Sequence, residues 1–147
     1  MTDNIRIEKL KPEDLPQLQQ LYKELIPDGC PLSVLKKNFE AVSSKPEYCL
    51  VAAKKGTSLL GTAAGIICLV PDATFMVVEN VVVRNDCRGY GIGKRLLEHL
   101  DRFALENGCV YSLLVSSGFR KEAHRFYEAA GYTDDVRGFR KYYDRDS

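Results

Sequence analysis

The sequence lacks an excess of charge of either sign. Its 147 residues include 21 Lys and Arg against 20 Asp and Glu, which leaves a net charge of +1. This balance provides no overall field to attract nucleic acid or an anionic membrane, so recognition of an anion must be local. No apolar run approaches the ~18 residues of a membrane-spanning helix, and no basic segment leads into an apolar one at the N-terminus. We therefore expect a cytoplasmic protein without nucleic-acid or membrane partners.

Paired cysteines are missing as well. The five cysteines form no Cys-x-x-Cys pair and have no histidine at ligand spacing, so a disulfide framework and a metal site are both disfavoured. Hydrophobic residues at 45% and charged residues at 28% are ordinary for a globular protein. A chain of this length can build its own core. We expect residues 1–147 to form a single domain without a metal.

The most informative stretch is residues 75–104, where a β-branched run leads through a glycine-rich turn into a patterned helix. Five valines lie between positions 77 and 83, and β-branched side chains favour a pleated strand. Apolar residues then recur at three- and four-residue steps from Ile92 to Ala104, which predicts an amphipathic helix. The first amides of a helix lack internal partners and lie at the positive end of its dipole. The turn is therefore suited to a phosphate.

Spacing excludes two common phosphate loops. A dinucleotide fingerprint would need glycine where the chain has Lys94 or Leu96, and a Walker loop would need glycine at position 88 and Ser or Thr at 95. The pattern Arg-x-x-Gly-x-Gly instead resembles the pyrophosphate loop of the GNAT superfamily of acyl-CoA-dependent N-acyltransferases. The alternative is a tight turn that needs glycine only for its geometry. The resemblance implies acetyl-CoA as co-substrate, bound by Arg88, Gly89, Tyr90, Gly91, Ile92, Gly93 and Lys94.

The flanking sequence predicts further strands and helices. Strands are predicted at residues 4–10, 48–54, 59–70 and 109–115, with a last hairpin at 132–133 and 138–143. Helices are predicted at residues 11–26, 33–42 and 120–130. The order β-α-α-β-β-β-α-β-α-β-β is that of the GNAT fold. We therefore expect an α/β (α+β) protein with a mixed, mostly antiparallel sheet of about seven strands and helices on both faces.

Two residues are candidates for acid–base chemistry. The pattern Phe-Tyr-x-x-x-Gly-Tyr resembles the family segment whose tyrosine protonates the departing thiolate, which implies Tyr127 as the general acid. The alternative is a tyrosine that merely packs on the inward stripe of its helix. Glu79 interrupts an apolar strand and resembles the acidic position at which some members hold a base. The alternative is an exposed or hydrogen-bonded carboxylate, and burial of Glu79 would favour the base.

The resemblance also implies a path for the pantetheine arm of the coenzyme. Val81 and Val83 resemble strand positions whose backbone pairs with this arm, and Val82 lies between them. Ser116 resembles a position on the other side of the cleft, and it has no helper histidine that would make it a nucleophile. Together with Tyr127, these residues complete the predicted coenzyme site.

The acceptor is inferred from two basic segments near the C-terminus. The sequences Arg-Lys-Glu-Ala-His-Arg-Phe-Tyr (120–127) and Gly-Phe-Arg-Lys (138–141) resemble the small-molecule branch that includes glucosamine phosphate and aminoalkylphosphonate acetyltransferases. This implies direct acetyl transfer to a primary amine of a small molecule and a homodimer. It also implies that one or two of the basic residues hold either an anionic acceptor or the ribose phosphate of the coenzyme. The alternative is a sensor or regulatory protein that binds coenzyme A and has little turnover.

Overall fold

The computed structural model describes residues 4–116 and 121–143, and the chain divides into two compact units, Met1–Leu114 and Val115–Ser147. The described part of the first unit contains five strands and three α-helices. The strands are β1 (Arg6–Lys9), β2 (Tyr48–Lys55), β3 (Ser58–Val70), β4 (Ala73–Val83) and β5 (Tyr111–Leu114). The helices are α1 (Leu15–Tyr22), α2 (Leu32–Val42) and α3 (Ile92–Glu106). The described part of the second unit contains one helix, α4 (Lys121–Ala129).

The five strands form one sheet in the order β1-β2-β3-β4-β5. The first three pairs are antiparallel, whereas β4 and β5 are parallel. The parallel pair follows from a helical crossover, because α3 carries the chain from the end of β4 back to the start of β5. The fold is a mixed, mostly antiparallel sheet with helices.

The prediction of about seven strands is wrong. A strand needs a ladder of backbone hydrogen bonds, but the N–H groups of Tyr132 and Thr133 donate to nearby carbonyls, those of Tyr127 and Gly131, both at 3.0 Å. No strand forms at 138–143 within the described residues. The large side chains of this segment lie in solvent. These exposed residues are Phe139, Tyr142 and Tyr143.

Helix α1 ends at Tyr22, earlier than its apolar pattern predicts. The next residues fold into turns, in which the N–H of Glu24 donates to the carbonyl of Leu21 at 3.0 Å and that of Ile26 to Tyr22 at 2.8 Å. This arrangement leaves Glu24 just beyond the helix, where its side chain can reach another element.

A β-bulge at Leu60 puts Leu59 and Gly61 on opposite faces of the sheet. Lys54 pairs with Leu59 but Ala53 pairs with Gly61, so Leu60 is an extra residue in β3. As a result, Leu59 faces the cluster beneath α1 and α2, whereas Gly61 faces α3. A Cβ at Gly61 would lie 3.3 Å from Leu96 Cδ1 and 3.4 Å from Ile92 Cγ2. The glycine lets α3 approach the sheet closely.

One hydrophobic core cluster lies between the sheet and the first two helices. Its buried members are Leu10, Leu15, Leu18, Leu21, Leu35, Phe39, Ala52, Leu59 and Val82. A buried ion pair borders it, in which Lys54 Nζ lies 2.7 Å from Asp14 Oδ2 and 3.3 Å from Glu8 Oε1. The backbone N–H of Lys11 donates to the same Asp14 carboxylate at 2.8 Å. This network joins β2 to β1 and to the turn that precedes α1.

Candidate functional site

The glycine-rich turn between β4 and α3 has the backbone form that its sequence predicts. A short 3-10 turn, Asn85–Cys87, follows β4, and α3 begins at Ile92. Gly89 and Gly91 have φ angles of +87° and +78°, which other residues rarely adopt. A Cβ at either position would meet no atom within 4 Å. These two glycines are therefore required for conformation, and the space beside them is open.

The start of α3 presents unpaired amides. The N–H of Arg95 donates to the carbonyl of Gly91 at 3.1 Å, and no side chain caps the helix. Among the described residues, the preceding amides of Ile92, Gly93 and Lys94 have no acceptor. These donors lie at the positive end of a 15-residue helix, so the turn can accept the oxygens of an anion.

Two arginines beside the turn are held by carboxylates. Arg84 pairs with Asp86 through Nε–Oδ1 at 2.7 Å and Nη2–Oδ2 at 2.9 Å, and this contact lowers the pKa of Asp86 to about 2. Arg88 Nη2 donates to Glu24 Oε1 at 2.7 Å, and its Nε donates to the carbonyl of Val83 at 3.2 Å. The contact of Arg84 with Asp86 lies at the end of β4, where the turn begins. Arg88 connects the turn to Glu24 in the segment after α1.

Strand β4 changes partners halfway along its length. It pairs with β5 from Phe75 (opposite Tyr111) to Val78 (opposite Leu114), whereas residues 79–83 pair only with β3. Within the part of the chain that the structure describes, the other edge of residues 79–83 has no strand partner. Its N–H and C=O groups can therefore pair with an extended ligand that leads to the anion-binding turn.

A second bulge lies where the pairing changes. Thr62 pairs with Val82 and Ala64 with Glu79, so one residue of β3 faces both Asn80 and Val81. Asn80 is the only non-glycine among the described residues with a positive φ, +56°. Its Nδ2 lies 3.4 Å from the hydroxyl of Tyr22, whose pKa is raised mainly by burial. No sequence pattern predicts this contact, and asparagine's tolerance of left-handed backbone is the only local signal for it.

The predicted base, Glu79, is exposed. Burial of this side chain would have favoured its role as the base, but Glu79 is not buried. The role of Glu79 stays a prediction. Among the other predicted strand residues, Val82 is buried in the core while Val81 and Val83 are half-buried at the open edge. The first unit therefore brings Glu79, the three valines and the glycine-rich turn together along one continuous segment.

The predicted acid, Tyr127, lies in the second unit on α4. Its ring contacts those of Phe126 and Tyr132, with centroid distances of 5.4 and 6.2 Å, so aromatic packing is present. These contacts leave the prediction of a general acid untested. The hydroxyl of Ser116 is buried without a hydrogen-bond partner in the described part of the chain. Ser117 and Arg120 lie outside the described residues.

A cleft of about 330 Å³ borders the exposed side of α1. Its lining residues are Gln17, Gln20, Leu21, Glu24, Leu59 and Arg84. The polar members recur at positions 17, 20 and 24, a helical spacing that could have indicated a shared face.

In residues 4–116 and 121–143, no three His, Cys, Asp or Glu side chains are grouped as a metal site requires, and no helix combines the length and apolar character needed to span a bilayer.

Comparisons with known proteins give a consistent result. The model of the Acetyltransferase (GNAT) family matches residues 15–132. An uncharacterised N-acetyltransferase of Bacillus subtilis (strain 168), YhdJ, is 28% identical over 131 residues, which cover 88% of this chain and 89% of that protein. A transcriptional regulator from Bacillus halodurans C-125 has a TM-score of 0.86 at 22% identity, with 95% and 99% of the two chains covered. Glucosamine-6-phosphate N-acetyltransferase from Arabidopsis thaliana has a TM-score of 0.82 at 22% identity, with 97% and 100% covered.

Proposed function

Because the chain belongs to the Acetyltransferase (GNAT) family, whose members use acetyl-CoA, we propose that it transfers the acetyl group of acetyl-CoA directly to a primary amine of a small molecule. One observation carries this proposal: the open edge of residues 79–83 leads directly into a turn whose amides are free to bind an anion. An acyl-CoA has the matching shape, an extended amide-containing arm that ends in a pyrophosphate.

The coenzyme is assigned to β4 and the turn in the following way. The pyrophosphate binds at residues 88–94, where the amides of Gly89, Tyr90, Gly91, Ile92 and Gly93 and the side chains of Arg88 and Lys94 supply donors. The pantetheine arm then adds to the open edge beside Val81, Val82 and Val83, with Ser116 as a further contact. The thioester consequently lies toward Glu79.

The chemistry assigns one role to each titratable residue. An alkyl amine is mostly protonated at neutral pH, so Glu79, directly or through water, accepts the proton that the amine nitrogen must lose. The nitrogen attacks the thioester carbon, the carbon–sulfur bond breaks, and the hydroxyl of Tyr127 protonates the departing thiolate. Transfer from a phenol of pKa near 10 to a thiol of pKa near 8.5 is uphill by only about 2 kcal/mol.

The test combines coenzyme binding with catalysis. Calorimetry should show that the protein binds coenzyme A, and thiol release from acetyl-CoA should depend on an added amine. Tyr127→Phe should lower kcat by about a hundredfold or more, as removal of a general acid does, with little change in coenzyme affinity. Tyr132→Phe is the matched control, since it removes a hydroxyl from the same aromatic cluster, and it should retain kcat.

Three other outcomes separate the alternatives. Coenzyme binding without turnover on any amine would favour a sensor or regulatory protein. Equal activity of Tyr127→Phe and the wild type would remove the general-acid role. Absence of coenzyme binding would contradict the assignment of the glycine-rich turn.

A further inference from the structure

Beyond Glu79, the sheet carries an apolar surface that the coenzyme assignment does not use. Opposite strand positions place Ile66, Val77 and Leu113 in one row across β3, β4 and β5. Because side chains alternate along a strand, the next row on the same face contains Cys68, Phe75 and Tyr111. We call these six residues the apolar rows. They lie on the face that also carries α1 and α2. Ala64 is two residues before Ile66 and therefore lies on the same face as the apolar rows, and its partner Leu50 packs against the core cluster beneath α1 and α2.

The apolar rows are accessible. None of their six residues belongs to the buried cluster beneath α1 and α2. Five are half-buried, and Tyr111 is 50% exposed. The rings of Phe75 and Tyr111 stack with a centroid distance of 5.0 Å and an interplanar angle of 13°, so they present one flat aromatic surface. An apolar ligand could cover this surface and displace water from it.

The charge at the end of the rows indicates which group of a ligand lies there. Glu79 pairs with Ala64 and therefore occupies the next row on the same face, where it is exposed. It is the only charged residue among the positions of β3, β4 and β5 that face this side between Ala64 and Val70. A cationic amine is complementary to this carboxylate, whereas a phosphate would meet no cation from β3, β4 or β5 on the apolar rows.

Distances along β4 define the length of the ligand. A strand rises about 3.3 Å per residue, so Val77 lies about 7 Å and Phe75 about 13 Å from Glu79. The coenzyme of the proposed function occupies the other half of β4 and brings its thioester to Glu79. The amine of an acceptor lying on the apolar rows would therefore reach the thioester while its body extends away from the coenzyme.

We infer that the acceptor is a primary amine on an elongated apolar body, an alkyl chain or a phenylalkyl group, which lies on the apolar rows with its amine at Glu79. This inference rests on the proposed function and makes its acceptor class specific. It replaces the anionic amino sugar or aminophosphonate expected from the basic C-terminal segments, because the only charged residue that β3, β4 and β5 place beside the apolar rows is the carboxylate of Glu79.

The test is a homologous series of n-alkylamines and phenylalkylamines, compared with glucosamine 6-phosphate and spermidine. At saturating acetyl-CoA, kcat/KM should rise with chain length by up to about fourfold per buried methylene, until the chain spans about 13 Å. Tyr111→Ser should raise the KM of the longest acceptors by about tenfold or more, without changing the KM of acetyl-CoA. Leu69→Ser is the matched control, because Leu69 is 79% exposed and lies next to Cys68 on the opposite face of β3; it should change neither constant.

Equilibrium binding keeps the inference testable apart from turnover. Calorimetry on the protein loaded with coenzyme A should show that a phenylalkylamine binds and that Tyr111→Ser weakens this binding. The inference would be overturned if spermidine or glucosamine 6-phosphate were the better acceptor, if chain length had no effect, or if coenzyme-loaded protein bound no apolar amine. Those results leave the proposed function intact, whereas absence of coenzyme binding would overturn both.

Discussion

Replacement of Glu24 by glutamine should tighten the binding of coenzyme A. Arg88 belongs to the proposed pyrophosphate site, yet its guanidinium already donates to Glu24 at 2.7 Å. The side chains are 56% and 28% exposed, so water screens the pair and its worth is about 0.2–1 kcal/mol. The pyrophosphate must compete with Glu24 for this arginine. Removal of the competing charge should therefore lower the Kd by about 1.4- to 5-fold.

The measurement is a calorimetric titration of the purified protein with coenzyme A at low and high ionic strength. The gain in Glu24→Gln should shrink at high salt, because the competing interaction lies at a partly exposed site. Glu40→Gln removes the same charge from an exposed position of α2 and should leave the Kd unchanged. Weaker binding by Glu24→Gln, or an equal gain in Glu40→Gln, would refute the competition between Glu24 and the coenzyme.

Two further predictions concern the scaffold of the site. Asn80 holds a φ of +56°, so Asn80→Val should cost about 1–2 kcal/mol of unfolding free energy and weaken coenzyme binding. Asn80→Gly should preserve both the stability and the binding. Equal behaviour of the two variants in urea denaturation and in calorimetry would show that the bulge is unimportant. Lys54→Met leaves the Asp14 carboxylate, 3% exposed, without its 2.7 Å partner and should cost about 3–5 kcal/mol. The double variant with Asp14→Asn should recover part of this loss, and a cost below about 1 kcal/mol for the single variant would show that the pair is dispensable.

The parts that follow from local patterns were predictable from the sequence. Valine-rich β4, the glycine-rich turn and the periodic α3 are each determined by neighbours within a few residues, so strand, turn and helix were placed correctly. The same reasoning failed at residues 138–143, because Gly-Phe-Arg-Lys-Tyr-Tyr alternates only weakly and a strand requires a partner that local sequence does not show. Alternation could not indicate whether a partner exists.

Contacts between distant residues escaped the sequence analysis for a different reason. Glu24 and Arg88 are 64 residues apart, and Asn80 and Tyr22 are 58 residues apart. Neither pair leaves a periodic trace in the sequence, because a single side-chain contact constrains only one position of each element. The sequence therefore predicted the glycine-rich turn but not the contact of its Arg88 with Glu24.

The bulge at Asn80 gives β4 two different surfaces. In a regular strand, residues 79, 81 and 83 would share one face and Val82 would lie on the other, toward α3. The extra residue instead puts Glu79 and Val82 on the same face, three positions apart, because their partners Ala64 and Thr62 are neighbours on that face. Val82 can then enter the core beneath α1 and α2, which anchors the second half of β4 while its edge stays open to a ligand. Before the bulge, the strand still pairs with β5 and its side chains form the apolar rows. The position of this one irregularity thus separates the surface proposed for the acceptor from the edge proposed for the coenzyme, and it places Glu79 at their junction.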